Sequence, residues 1–371
     1  MAEPIPFLSV GAGYNELRAD LDTAIQRVLQ SGWYLLGGEL KAFEEEYARF
    51  TESRHCVGVA NGLEALVLAL KAVGVEPGQE VIVPANTYIA TWLAVSNVGA
   101  IPVPVEPIPG IWNLDPGRLE EVLTPKTVAV LPVHLYGQPA DLDPILAWAK
   151  HRGVKVVEDG AQAHGARYMG RRIGAHSDAV AWSFYPAKNL GCFGDGGAVT
   201  TDDATVADRI RVLRNYGSRQ KYFNELKGYN SRLDEIQAAV LRVKLQHLDA
   251  WNARRKTLAV RYLSGLQGLP GLGLPTLQGG AEHAWHQFVV DHPRRDELQA
   301  HLASKGVQTL VHYPIPPHLS VAYGADRTWG PLPITEAAAQ THLSLPIGPH
   351  LSLAELDRVV SVIKDWCLMP A

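Results

Sequence analysis

Short apolar runs that alternate with stretches of helical spacing constrain the fold of this chain more than any other feature. The runs are residues 81–83, 101–105, 128–133, 154–157 and 179–184, each short enough for a buried strand. Helical spacing recurs between them, near 63–73, from about residue 88, at 116–123 and at 141–151. Such alternation indicates a mostly parallel, doubly wound sheet of the α/β class, which binds ligands at the carboxyl ends of its strands.

The rest of the chain predicts a second, smaller unit. The further predicted elements are helices at 15–30, 39–50 and 204–213, one bent or two long helices within 231–266, a strand at 285–290, and helices near 294–304 and 353–366. A chain of 371 residues also exceeds the size of about 250 to 300 residues at which single cores stop growing. We therefore predict a large α/β domain over residues 1–248 and a small α+β domain over residues 249–371.

Composition argues against several classes of function. The net charge of −4 gives no general reason to expect nucleic-acid or membrane partners. The three cysteines lack C-x-x-C spacing, so neither a disulfide framework nor a zinc site is indicated. Two histidines in a proline-rich segment, His312 and His318, have no carboxylate or cysteine at useful spacing, so no metal is expected. Without a leader-like start or a long apolar window, we expect a soluble, unprocessed, cytoplasmic protein.

Lys188 follows the apolar run 179–184 and the turn at Tyr185 and Pro186. Glycine is frequent in the residues that come next, which suits close backbone approach better than helix or strand packing. An amine in a turn at the end of a buried strand can be desolvated. Desolvation lowers its pKa and makes it a candidate for Schiff-base chemistry. The alternative is an ordinary solvated lysine in a loop.

An acidic residue upstream favours the chemical interpretation. The apolar run 154–157 delivers Glu158 and Asp159 to its carboxyl end, where a carboxylate can keep a heterocyclic nitrogen protonated. A lysine that binds the cofactor covalently, with an acidic partner for the pyridinium nitrogen, tunes pyridoxal phosphate into an electron sink. The two motifs together predict a pyridoxal-phosphate site with Lys188 and Asp159 as its catalytic residues.

Two other stretches suit a phosphate and a flat ring. The turn at Asn61 and Gly62 precedes a predicted helix, whose first N–H groups can hold a phosphate. This signal is weak alone, because many strand-turn-helix units bind nothing. Tyr88 stands in the first turn of another predicted helix, where its ring can stack on a heterocycle, although a core aromatic would look similar.

Seven motifs extend this pattern from about residue 34 to about residue 346. They read E-D-G-A-Q-A-H-G, S-F-Y-P-A-K-N-L-G, A-N-G-L-E-A-L, P-A-N-T-Y-I-A-T, P-V-H-L-Y-G, L-R-N-Y-G-S and G-Y-N-S-R-L-D-E-I-Q-A-A. Together they resemble the sugar aminotransferases of the DegT/DnrJ/EryC1/StrS family. The resemblance implies a fold-type-I enzyme that uses pyridoxal phosphate, and its pyridoxamine form between half-reactions, to aminate a nucleotide-linked keto sugar. Glutamate or glutamine is the implied amino donor.

The resemblance also implies roles for single residues. The counterparts of Gly62, Leu63 and Ser183 hold the cofactor phosphate, and that of Gln162 contacts the side of the cofactor's phenolic oxygen. The counterpart of Asn230 reaches the neighbouring subunit's phosphate, which implies a homodimer with shared active sites. Substrate contacts are expected at Tyr34, Tyr185, Arg219, Lys221, His312, Tyr313 and His318. Simple packing is the alternative for Tyr34, and a solvated basic loop is the alternative for Arg219 and Lys221.

Among family branches, the motifs look most like the one that aminates C3 of dTDP-linked 3-keto-6-deoxyhexoses. Members that act at C4 commonly carry histidine at the position of Tyr185. C4-keto sugars remain the alternative substrate, followed by cyclitol ketones. Two other roles stay open. Some relatives without the lysine catalyse dehydration with the pyridoxamine form, which the presence of Lys188 disfavours, and others are proposed to act in regulation.

Overall fold

A computed structural model describes residues 3–324 and 329–369 of the chain. Its strands are β1 (His55–Val59), β2 (Glu80–Pro84), β3 (Ile101–Val105), β4 (Thr127–Val130), β5 (Lys155–Asp159), β6 (Arg167–Tyr168), β7 (Arg171–Arg172), β8 (Ala179–Ser183), β9 (Gly197–Thr201), β10 (Ser218–Gln220), β11 (Phe223–Asn224), β12 (Ala281–Glu282), β13 (Phe288–Asp291) and β14 (His342–Leu345). Its α-helices are α1 (Val10–Glu16), α2 (Arg18–Ser31), α3 (Gly38–Phe50), α4 (Gly62–Ala72), α5 (Ile89–Asn97), α6 (Leu142–Arg152), α7 (Ala204–Leu213), α8 (Glu235–Leu245), α9 (Leu248–Leu266), α10 (Arg295–Ser304), α11 (Pro333–Thr341) and α12 (Leu353–Cys367).

Seven strands form the main sheet, in the order β1-β9-β8-β5-β4-β2-β3. Every neighbouring pair from β8 to β3 is parallel, whereas β9 is antiparallel to both of its neighbours. In this register Asp159 at the end of β5 pairs with Ala181 of β8, close to the turn that leads to Lys188. The predicted α/β class and mostly parallel, doubly wound sheet are confirmed.

The strands are apolar because both faces of the sheet are covered by helices. On β2, Ile82 packs in a core cluster with α3, α6 and α8, whereas Val81 and Val83 pack in another with α4, α5 and α7. This is the two-residue period of a strand, with apolar side chains required on both sides. The sheet is therefore rigidly held, and its carboxyl edge is a fixed platform for side chains.

A third apolar cluster lies in the C-terminal part of the chain. It contains the antiparallel pair β13–β14 and apolar residues of α9, α10 and α12. Along α9, Leu248 packs in the cluster of the main sheet, and Leu258 packs in the third cluster. Ile5 belongs to the third cluster as well, through a parallel bridge to Val307. The division at residue 248 stays a prediction, and the N-terminal segment contacts the C-terminal unit.

Three predicted elements differ from the observed ones. The segment predicted as a helix at 116–123 is a 3₁₀ helix, Pro116–Val122, because it begins Pro-Gly and is too short for α-helical propagation. The helix predicted at 15–30 is two helices, which meet at Leu17. The strand predicted at 285–290 begins only at Phe288.

None of the described helices combines the length and the apolar character that a membrane crossing requires.

Candidate active site

The turn after β8 positions Lys188 at the carboxyl edge of the sheet. The Lys188 amide donates to the Tyr185 carbonyl at 2.8 Å. A Cβ atom at Gly191 would lie 2.5 Å from the Pro186 carbonyl oxygen, so only glycine fits this close approach. Burial lowers the pKa of Lys188 to about 8, and the nearby charge of Asp159 acts in the opposite direction. The amine is therefore partly neutral near neutral pH, as a nucleophile must be.

Asp159 ends β5 and is buried. Its Oδ2 accepts a hydrogen bond from the Thr91 hydroxyl at 3.0 Å, and its Oδ1 accepts one from the Ala161 amide at 3.1 Å. Burial raises the pKa of Asp159, while the Ala161 amide and the charge of Lys188 oppose that rise. A carboxylate accepts more than two hydrogen bonds, so Asp159 retains capacity for a cationic N–H partner. This environment fits a protonated pyridine nitrogen.

The N-terminus of α4 lies directly against the end of β8. A Cβ atom at Gly62 would lie 2.6 Å from the Cβ of Ser183, so glycine is needed for this approach. Asn61 caps the helix by accepting a hydrogen bond from the Glu64 amide at 2.9 Å. The amides of Gly62 and Leu63 have no partner within α4, which suits a phosphate group. The residues present thus fit pyridoxal phosphate at its ring nitrogen, its aldehyde carbon and its phosphate.

Aromatic and amide side chains meet beside this position. Tyr88 is the N-cap residue of α5 and is about half exposed. Its ring lies 5.2 Å from that of Tyr313, centroid to centroid. Gln162 donates through Nε2 to the Tyr313 hydroxyl at 3.1 Å and accepts at Oε1 from the Tyr136 amide. The structure brings these predicted residues together, and their separate roles in holding cofactor or substrate stay predictions.

His312 joins the same cluster. Its Nδ1 lies 2.8 Å from the Ser344 hydroxyl, and its carbonyl accepts a hydrogen bond from the Tyr136 hydroxyl at 2.8 Å. Burial, together with the charge of Lys188, lowers the pKa of His312 to about 4. The imidazole is therefore neutral at neutral pH, available to a sugar hydroxyl as a hydrogen-bond partner.

Three predicted substrate residues are engaged elsewhere in this structure. His318 is buried and its Nε2 lies 3.2 Å from Glu336 Oε1. Arg219 forms an ion pair with Asp208 on α7, at the exposed surface. Lys221 lies 5.0 Å from the ring of the tyrosine that follows it in the chain. Within this subunit none of the three contacts the cluster around Lys188, and their predicted substrate contacts remain predictions.

Three further predicted residues lie exposed. Tyr34 and Tyr185 each keep about half of their surface accessible, and Asn230 is exposed as well. Among the described residues, the Asn230 side chain has no hydrogen-bond partner, although its backbone bridges to Asn215. A polar side chain with no partner among the described residues can hydrogen-bond another molecule.

Sequence reasoning missed three residues that adjoin the predicted set. Thr91 donates a hydrogen bond to Asp159. It lies one helical turn after Tyr88, so helical spacing could have predicted that it faces the same site. Asn189 contacts the Nδ1 of His286 at 3.1 Å, and these two residues are 97 positions apart. Burial and the charge of Lys188 lower the pKa of His286 well below its ordinary value. No local pattern links such distant residues.

The fold and the arrangement of lysine, carboxylate and helix N-terminus are those of enzymes that transfer amino groups with pyridoxal phosphate. The protein is a pyridoxal-phosphate-dependent aminotransferase. The profile of the DegT/DnrJ/EryC1/StrS aminotransferase family matches residues 15–364. The chain belongs to that family, as predicted.

Similar proteins match over nearly the whole chain. The dTDP-3-amino-3,4,6-trideoxy-alpha-D-glucose transaminase of Streptomyces venezuelae is 58% identical over 363 residues, which cover 98% of this chain and 96% of the relative. The erythromycin biosynthesis sensory transduction protein EryC1 of Saccharopolyspora erythraea is 58% identical over 362 residues, with 97% and 99% covered. The crystal structure of S. venezuelae DesV in complex with a ketimine intermediate has a TM-score of 0.98 at 57% identity and covers 100% of both chains. The structure of ntda from Bacillus subtilis with bound cofactor PMP has a TM-score of 0.93 at 32% identity, covering 100% of this chain and 86% of that one.

Proposed function

We propose that the protein transfers an amino group to C3 of a dTDP-linked 3-keto-6-deoxyhexose, with glutamate or glutamine as donor. The observation that carries the proposal is the pairing of the half-buried Lys188 with the buried Asp159 near the strand ends of a chain whose relatives bear sugar-transaminase names. One of them is 58% identical and another, the dTDP-3-amino-3,6-dideoxy-alpha-D-galactopyranose transaminase of Aneurinibacillus thermoaerophilus, is 49% identical. Both names contain the words 3-amino, which supports amination at C3.

The residues of this chain divide the work of the reaction. Lys188 binds the cofactor, then holds and returns the proton that moves at the reacting carbon, and its lowered pKa leaves the amine able to accept that proton. Asp159, fixed by Thr91 and Ala161, keeps the ring nitrogen protonated. When bound, pyridoxal phosphate supplies the electron sink for the carbon that carries the nitrogen.

Retention of the cofactor matters most between the half-reactions, when no covalent bond joins it to Lys188. Gly62 and Leu63 amides, the Ser183 hydroxyl and Asn230 of the partner subunit would then hold its phosphate. Gln162, whose Nε2 already donates to the Tyr313 hydroxyl at 3.1 Å, would contact the side of the cofactor's phenolic oxygen, and Tyr313 would contact the sugar. In this proposal the dimer is the catalytic unit.

The position of amination is tested by product analysis. Purified enzyme receives dTDP-linked 3-keto and 4-keto 6-deoxyhexoses in separate reactions with glutamate, and the products are examined by NMR. We expect the amino group at C3 from the 3-keto sugar and turnover of the 4-keto sugar that is lower by at least about a hundredfold, the discrimination of a site that hydrogen-bonds one group and not its neighbour. Preferential amination of the 4-keto sugar would refute the C3 assignment.

A regulatory role without catalysis is the second candidate, because one relative at 58% identity is called a sensory transduction protein and one at 42% a pleiotropic regulatory protein. Absorbance separates the two functions. On addition of glutamate, an aminotransferase converts its bound chromophore to the amine form, whereas a regulator that only binds the cofactor keeps the original spectrum.

The shared active site predicts the behaviour of mixed dimers. Asn230→Ala removes one hydrogen bond to a charged phosphate, so cofactor retention should weaken by about ten- to a hundredfold, chiefly in the pyridoxamine form. At limiting cofactor this variant and Lys188→Ala are each inactive. Dimers that contain one subunit of each, isolated with two affinity tags, should regain about half of the wild-type activity per dimer, because one site then carries both defects and the other carries neither. If Asn230 serves its own subunit, every site keeps one defect and mixing restores nothing.

A further inference from the structure

A cavity of about 50 Å³ is lined in part by the turn that carries Lys188, and by Lys188 itself. Its walls include this turn, the start of α1, Lys244 of α8, Trp251 and Arg255 of α9, and His350. Apart from Lys188, none of these residues has a predicted role in binding the cofactor or the sugar. The cavity has room for a few atoms, since a single water molecule needs a cavity of only about 10 to 15 Å³.

Arg255 presents an unsatisfied donor edge. Only 3% of the residue is exposed, and its Nη1 donates to three backbone carbonyls at 3.1 to 3.4 Å. The carbonyls belong to Trp285, His286 and Ile347. Its Nε is buried without a partner, and Nη2 donates to none of the described residues. Nε and Nη2 form the edge of a guanidinium that binds carboxylate or phosphate with two parallel hydrogen bonds.

Lys244 contributes a second buried cation to the same cavity. It is 5% exposed, donates to the Gly191 carbonyl at 2.6 Å and lies 4.4 Å from the ring centroid of Phe193. One carbonyl leaves two of the three ammonium hydrogens without an acceptor among the described residues. Burial lowers the pKa of Lys244 to about 8 and that of Arg255 to about 10, and neither pKa is influenced by a carboxylate.

The neighbouring charges do not neutralise this pair. Glu16 is the carboxylate near the cavity mouth, and it binds Arg254 at 2.9 Å and His350 at 2.6 Å. Its negative charge is thus already balanced by Arg254. Two buried cations that share a cavity without a counterion are costly, because both are desolvated. An anion in the cavity removes this cost.

We propose that this cavity is a binding site for a small oxyanion, a phosphate or carboxylate group, held by the Nε–Nη2 edge of Arg255 and by Lys244. The anion would connect α8 and α9 with the wall that the Lys188 turn forms, and so stabilise that turn. Free inorganic phosphate and the carboxylates of an amino acid such as glutamate share this chemistry.

The site is tested with cofactor-loaded enzyme, so that the cofactor's own phosphate site is filled. The midpoint of thermal unfolding is measured against the concentration of sodium phosphate, and separately of sodium glutamate, at ionic strength held constant with sodium chloride. We expect saturable stabilisation of the wild type and an apparent affinity about tenfold weaker in Lys244→Met, since one charged hydrogen bond is lost. Lys244→Arg, which keeps the charge, should retain most of the affinity. Lys150→Met, which removes an exposed charge from α6, should behave as wild type.

Stronger stabilisation by phosphate than by glutamate would identify a phosphate site, and the reverse would identify a carboxylate site. Lys244 is varied in preference to Arg255 because Arg255 holds three carbonyls and its loss threatens folding. Crystals of the cofactor-loaded enzyme soaked in sodium selenate should show an anomalous peak between Arg255 and Lys244. Equal anion dependence in wild type and Lys244→Met, or a cavity that holds only water in the soaked crystals, overturns the proposal. A selenate peak without any effect of phosphate or glutamate in solution means binding at crystal concentration only, and overturns it too.

Discussion

Replacement of Lys188 by alanine should abolish transamination while the protein remains folded. The side chain supplies the amine that binds the cofactor and moves the proton, and contributes little packing, so the midpoint of thermal unfolding should change little. The purified variant should lack the absorbance band of covalently bound cofactor. Steady-state assays should show loss of turnover of at least about ten-thousandfold, the upper range for a lost general acid–base.

Lys155→Ala is the matched control for this variant. Lys155 lies on β5, next to the strand β8 that precedes Lys188. It is exposed and forms an ion pair with Asp178 at 2.8 Å, so its replacement removes a lysine of the same sheet without changing the site. It should keep both the absorbance band and the turnover. Appreciable turnover by Lys188→Ala would show that another residue binds the cofactor.

Asp159→Asn should lower kcat by about a hundred- to a thousandfold, which is typical when one preorganised electrostatic contact in an active site is lost. Asparagine keeps the shape of the side chain and can still hydrogen-bond Thr91 and the Ala161 amide. Without a negative charge, however, it cannot keep the ring nitrogen protonated. Cofactor retention, measured by equilibrium dialysis, should fall much less than kcat, because the phosphate contacts remain.

Glu158→Gln separates this effect from the loss of any buried carboxylate on β5. Glu158 is the preceding residue, fully buried, and its Oε2 lies 2.9 Å from His134 Nε2. This variant should lose some stability, since a neutral amide is a weaker hydrogen-bond partner for the His134 ring than a carboxylate is, with a much smaller change in kcat. Equal losses of kcat in both variants would mean that Asp159 acts through the fold and not through its charge.

Much of the architecture was predictable because it depends on local patterns. The apolar run 179–184 begins where β8 begins and ends one residue beyond it, and Lys188 follows in a turn whose tightness its glycines indicate. The run 154–157 in the same way predicts that Asp159 ends a buried strand. Parallel strands present their carboxyl ends at one edge, so two local patterns suffice to place both catalytic candidates together.

The resemblance to a family added what local patterns cannot supply, the identity of the cofactor's phosphate ligands and of the partner subunit's residue. Family, fold type and cofactor are confirmed. The Asn230 side chain is exposed and has no partner among the described residues. Its proposed contact with the partner subunit's cofactor is therefore decided by the experiment with mixed dimers.

The sequence by itself determined the class of fold, the positions of Lys188 and Asp159, and the chemistry that the pair implies, because burial patterns and turns are encoded by neighbouring residues. Only the tertiary structure decided which distant groups surround them. Asn189 meets His286, and Arg255 and Lys244 share a cavity, because packing of separate helices and strands brings them together. No residue spacing along the chain records such contacts, since they depend on how whole elements pack and on which polar groups that packing leaves without partners.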